Sequence, residues 1–100
     1  MSDLNNDVRL AVDTGKVSLG HRDVLRAINA NKAQAIILAS NGKKSVVDDI
    51  MHMCKIAEIR IITFKSGSLE LGAVCGKPYS VNCLAIVEPG NSKILEEQYN

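Results

Sequence analysis

The chain has 100 residues, 46% of them hydrophobic and 23% charged, which is one domain's length and a globular composition, not that of a disordered segment. A formal net charge of +1 excludes a general electrostatic binder of nucleic acid. No apolar run approaches the ~18–20 residues of a membrane span, and Asp3, Asp7, Arg9 and Asp13 interrupt the stretch where a cleavable signal peptide needs continuous apolar residues, so the expectation is one soluble intracellular domain over 1–100.

Leu4, Val8 and Val12 recur every four residues and predict a short amphipathic helix, with Ser2 or Asp3 as its cap and Gly15 as a left-handed terminator. Lys16 to Leu19 reads as a brief strand closed by Gly20. Val24, Leu25 and Ile28 mark a helix over His21 to Ala30. Ala35-Ile36-Ile37-Leu38-Ala39 is a continuous apolar run, as expected of a strand buried on both faces. Asn41-Gly42 turns the chain. Ser45 is placed to cap a third helix carrying Asp48 and Asp49 in its first turn, with Val46, Val47, Ile50, Cys54 and Ala57 as its buried stripe.

Arg60 to Phe64 is the next strand, rich in β-branched residues. Ser68 to Cys75 reads as a short helix stopped by Gly76, and Pro78 makes 77–80 a loop. Val81 to Val87 is the last strand, Pro89-Gly90 a turn, and Ser92 to Gln98 a final helix. Helices alternating with strands predict an α/β fold, a three-layer α/β/α sandwich around a mixed four-stranded sheet. The strand order is not readable from the pattern.

The charge is unevenly spread. Residues 1–13 hold three acids and one base, residues 88–100 the same, and the middle holds ten Lys or Arg against five Asp or Glu. Such a middle permits one localised positive face. Cys54, Cys75 and Cys83 are an odd set without a C-x-x-C pair, expected as reduced core thiols rather than a disulfide framework or zinc ribbon. His21 and His52 stand apart with no second metal-type ligand at helical spacing, so no metal and no cofactor is expected.

Three loops carry candidate chemistry at strand ends, where ligands meet such sheets. Leu19-Gly20-His21-Arg22 runs a strand straight into a helix start, whose free amides suit an anion. Ser40-Asn41-Gly42-Lys43-Lys44 offers two lysines and an amide side chain. Lys77-Pro78-Tyr79-Ser80-Val81-Asn82 combines a base, an aromatic ring and small polar groups. Each loop alone is also explained as ordinary turn chemistry. Together they hold what a reader of folded RNA uses: helix-start amides, basic side chains and a stacking cover. Enzyme signatures are missing: no G-x-x-x-x-G-K-[ST] loop, no G-x-G-x-x-G, no nucleophile elbow and no placed carboxylate pair.

Asp13-Thr14-Gly15-Lys16 with Gly20, Ala35 to Asn41, Leu71-Gly72 with Gly76-Lys77-Pro78, and Val81 to Leu95 with Glu88-Pro89-Gly90-Asn91-Ser92 closely resemble one family over about residues 4–97. It is the thirty-e family of ribosomal proteins of the archaeal and eukaryotic large subunit. The resemblance implies a single domain, without catalysis, in the cytoplasm on the ribosome. It implies binding to ribosomal RNA at a kink-turn, a bent internal loop with tandem sheared G·A pairs and an extruded nucleotide. The RNA-contacting positions then fall on Gly20, His21 and Arg22, on Asn41 and Lys44, and on Tyr79, Val81 and Asn82. Neighbouring ribosomal proteins are further partners, no membrane is involved, and the chain is a monomer off the ribosome.

One departure stands out. Several kink-turn readers carry Asn-Glu just after the helix-start glycine, where this chain has His21-Arg22, so their guanine contacts do not transfer. The competing reading is a protein–protein scaffold, or another ribonucleoprotein component, on the same fold.

Overall fold

The apolar run at 35–39 has no polar side because both of its faces are covered: all five residues are buried. In the computed structural model, which describes residues 4–96, this run is strand β2 (Ala35–Ala39). The other elements in chain order are α1 (Leu4–Thr14), β1 (Lys16–Leu19), α2 (His21–Asn29), α3 (Lys44–Ala57), β3 (Arg60–Phe64), α4 (Ser68–Val74) and β4 (Cys83–Glu88). The four strands form one mixed sheet in the order β1-β4-β2-β3. β4 is antiparallel to both β1 and β2, and β2 is parallel to β3.

Side chains alternate across the sheet with the period of two that strand geometry imposes. Ala35, Ile37, Ala39, Ile62, Phe64, Leu84 and Ile86 face α1 and α4, meeting Val8, Ala11, Leu71 and Cys75. Ile36, Leu38, Cys83 and Ala85 face α2 and α3, meeting Val24, Ala27, Ile28, Val46, Ile50 and Cys54. These are the three expected layers. Ile37, wholly buried and paired with Leu84, sits near their centre.

Some boundaries differ from the sequence reading, each for a physical reason. The last strand starts at Cys83 rather than Val81, because the Val81 N–H is turned to Ser68 O on α4 instead of a neighbouring strand. Gly15 is not left-handed; a Cβ there would collide with the Glu88 carbonyl oxygen, so the close approach to the chain after β4 requires glycine. Helix α3 starts at Lys44, with Lys43 at its N-cap and no side-chain cap, so Asp48 and Asp49 lie beyond its first turn. Its buried stripe is Val46, Ile50 and Cys54, while Val47 is half-buried and Ala57 exposed.

The final helix expected over 92–98 is replaced, through residue 96, by single turns closed by Ser92 N–Pro89 O and Glu96 N–Lys93 O. The Ser92 hydroxyl donates to Asp7 O at 2.8 Å and accepts from Ile94 N at 3.1 Å. That anchors the segment on α1 and sinks Ile94 into the core in place of a continuing helix. Residues 97 and 98 of that expected helix, and the caps Ser2 and Asp3, lie outside the described residues.

Candidate nucleic-acid interface

Because β4 runs antiparallel to its neighbours, its amino end lies beside the carboxyl ends of β1 and β2. The loop 77–82 therefore reaches the common edge at a strand start, not at a strand's carboxyl end as the sequence reading had it. Two backbone hydrogen bonds tie the loops together: Gly20 N–H donates to Cys83 O at 3.2 Å, and Ala39 N–H to Asn82 O at 2.9 Å. Gly20, His21, Tyr79, Val81 and Asn82 line one cleft of about 150 Å³. Asn41 stands on the adjoining β2–α3 loop, where Gly42 lies against the Asn82 carbonyl, and Lys44 opens α3 directly after it.

Gly20 is the N-cap of α2 with φ 92° and ψ 159°, a region essentially reserved for glycine. A Cβ there would meet nothing within 4 Å, so the backbone shape, not crowding, selects the residue, and the surface over it is open. At Gly72 the reason is reversed, because a Cβ would strike the Tyr79 carbonyl oxygen. Loop 77–82 thus packs directly on the α4 backbone, a contact held by Val81 N–H to Ser68 O at 2.9 Å.

The candidate side chains fall into different environments. Tyr79 is 55% exposed, whereas Val81 is 4% exposed and belongs to the α1/α4-side core. Arg22 and Lys44 are exposed and make no ion pair among the described residues. Asp23, beside Arg22, pairs with Arg26 at 3.5 Å. His21 Nε2 lies 3.1 Å from Asp49 Oδ2 on α3. Asn41 Oδ1 accepts the backbone N–H of Ser68 at 2.7 Å, leaving its Nδ2 as the donor available to a ligand.

That last bond brings in a fourth loop, between β3 and α4. Ser40 Oγ also donates to Lys65 O at 3.1 Å, and Gly67, with φ 91° like Gly20, abuts the Asn41 amide. Sequence reasoning passed over this loop. Its signal was present: Gly67 directly precedes a helix just as Gly20 does. Lys65, whose carbonyl takes the Ser40 hydroxyl, is exposed like Lys43 and Lys44, so part of the excess of basic residues in the middle of the chain collects at this edge.

The rest of the molecule offers less. The depression of about 470 Å³ between α3 and β3 is lined by Met51, Ile59 and Ile61 and involves none of these loops. Among the described residues no group of three His, Cys, Asp or Glu is placed to hold a metal. The three cysteines are free and buried. Burial pushes the thiols of Cys54, Cys75 and Cys83 up to about 11; nearby Lys77 opposes this at Cys75, and nearby Cys54 adds to it at Cys83. No helix among the described residues is long and apolar enough to cross a membrane.

Comparison with known proteins identifies the family of the chain. The ribosomal protein L7Ae/L30e/S12e/Gadd45 family matches residues 2–96. The chain is 44% identical over 93 residues to the large ribosomal subunit protein eL30 of Methanococcus maripaludis strain C5, covering 93% of this chain and 88% of that protein. It is 45% identical over 94 residues to the eL30 of Methanosphaera stadtmanae, covering 94% and 96%. With the eL30 of Methanobrevibacter smithii it shares 38% identity over 97 residues, 97% of this chain and 98% of that one.

Proposed function

The chain belongs to the ribosomal protein L7Ae/L30e/S12e/Gadd45 family, and from that premise we propose that it binds ribosomal RNA at a kink-turn, as a structural protein of the large subunit. Its relatives are ribosomal proteins, a structural family rather than an enzymatic one. The observation that carries the RNA reading is the joining of the three loops by Gly20 N–Cys83 O and Ala39 N–Asn82 O. Those bonds make one face from segments far apart in the chain.

Each group on that face has a role suited to bent RNA. The open backbone at Gly20 lets the α2 start approach the groove beside the G·A pairs, with Arg22 meeting a phosphate or a guanine edge. Asn41 turns its Nδ2 to a base edge, since its oxygen is held by Ser68. Lys44 neutralises phosphates crowded at the bend. Tyr79 stacks on the unpaired base, and buried Val81 with Asn82 supports the loop that presents the ring. Binding holds a bent state that phosphate repulsion otherwise disfavours. Neighbouring ribosomal proteins meet other faces, the working location is the cytoplasmic ribosome, and off the ribosome the chain is a monomer.

Gel shift with a kink-turn hairpin, and with a version lacking the G·A pairs, tests the reading. Preference for the intact kink-turn is the expected result; equal binding to both rejects it. Co-sedimentation with the large subunit in high salt is the expected result in cells, and its absence favours the scaffold reading.

A further inference from the structure

We propose that Asp49 is a positioning residue for RNA recognition, holding the His21 ring so that its Nδ1 accepts a hydrogen bond from the RNA. The inference rests on the kink-turn reading of this face. Asp49 lies on α3, 28 residues from His21, and belongs to none of the three loops. Its Oδ2 stands 3.1 Å from His21 Nε2, with the His21 side chain 38% and the Asp49 side chain 62% exposed.

A carboxylate can only accept, so the facing ring nitrogen must carry the proton. In the neutral ring Nδ1 is then the acceptor, and which nitrogen is protonated is set by the bond the other makes. Nδ1 has no partner among the described residues, and His21 lines the cleft with Tyr79 and Asn82. The other charged groups at this helix start are otherwise arranged: Asp23 is turned to Arg26 at 3.5 Å, and Arg22 supplies only donors. His21 is thereby the acceptor at a helix start whose free amides and arginine are all donors. Its match on RNA is a donor, a 2′-hydroxyl or an exocyclic base amine.

The sign of the effect separates positioning from simple charge. A carboxylate beside a polyanion repels it, so deleting Asp49 for charge reasons alone tightens binding. If Asp49 positions His21, Asp49→Ala weakens kink-turn binding by about three- to tenfold, the range of one net hydrogen bond. Asp49→Asn keeps a neutral acceptor and binds at least as well as the parent chain. In a His21→Ala background, Asp49→Ala no longer weakens binding. Alanine on an exposed helical surface is well tolerated, so the variants fold.

Ring ¹⁵N shifts of His21 in the free protein give a readout independent of RNA. A single Nε2–H tautomer is expected in the parent chain and a mixture in Asp49→Ala. Asp49→Ala binding as tightly as the parent, or tighter, overturns the proposal, as does a tautomer population that is the same in the parent and in Asp49→Ala. If the parent chain does not discriminate kink-turn RNA from its control, the kink-turn reading fails first, and the ¹⁵N shifts still decide the His21–Asp49 pairing. Single 2′-deoxy substitutions in the RNA separate the donors: one that abolishes the Asp49→Ala effect assigns the hydroxyl, and none doing so assigns the amine.

Discussion

Asn41 caps a helix that follows a different strand: its Oδ1 accepts the N–H of Ser68, the first residue of α4, at 2.7 Å. The N-cap of that helix is Gly67, which has no side chain to do it. One amide thus braces the fold with its oxygen and faces solvent with its nitrogen.

Asn41→Ala should remove both roles, lowering stability by about 1 kcal/mol, typical of a lost cap, and weakening kink-turn RNA binding. Asn41→Asp keeps the acceptor and should leave the melting temperature near that of the parent, yet it puts a negative charge against RNA and should bind worse. Thermal melts and gel shifts on the two variants check the division. Equal loss of stability in both would show that the oxygen is not the brace.

Tyr79 and Val81 should respond oppositely to truncation. Tyr79 is 55% exposed, so Tyr79→Ala should change stability by no more than about 0.5 kcal/mol while losing about 1–3 kcal/mol of base stacking. Val81 is 4% exposed, so Val81→Ala should destabilise the fold by about 2 kcal/mol through lost burial and a residual cavity. Urea unfolding midpoints beside RNA affinities measure both. A large stability loss in Tyr79→Ala would make the ring a core element instead.

Arg22 is exposed and without an ion pair among the described residues. Arg22→Ala should weaken RNA binding and flatten the dependence of log affinity on log salt by about one phosphate's worth. Titration across a salt series tests this. An unchanged slope would place Arg22 on a base edge or off the interface.

The buried thiols predict a pH dependence with a definite sign. Burial pushes Cys54, Cys75 and Cys83 from an ordinary value of 9.0 up to about 11. Between those values the folded chain holds protons that the unfolded chain has released. Their contribution to stability is therefore full below pH 9 and is lost as pH rises from about 9 through 11. Urea midpoints measured across that interval should fall, and Cys75→Ala should fall less steeply. At pH 8 the folded protein should react with thiol reagents far more slowly than the denatured chain.

Much of this architecture was legible in the residues. The apolar run at 35–39, the four-residue spacing of Leu4, Val8 and Val12, and the β-branched segment at 60–64 each carry a local pattern that burial enforces, and all became the expected elements. What was not legible depends on contacts between distant segments. Nothing local says that β4 enters between β1 and β2, and that antiparallel placement is what moves loop 77–82 to the edge shared with the loops at Gly20 and Asn41. Ser92 reads as a helix start until its hydroxyl is committed to Asp7 O. All eight candidate site residues were chosen by loop chemistry and resemblance. The partners that orient two of them, Ser68 for Asn41 and Asp49 for His21, come from elements whose approach no sequence pattern announces.

β4 is the last strand among the described residues but an inner strand of the sheet. During synthesis β1 and β2 therefore have a gap between them until residues 83–88 emerge, and the loops at Gly20 and Ala39 lack the carbonyls of Cys83 and Asn82 that join them. A polypeptide released early, by a premature stop or a stalled elongation, has no assembled face to offer. Any copy that stops short of residue 82 thus lacks both of the bonds that hold this edge of the sheet together.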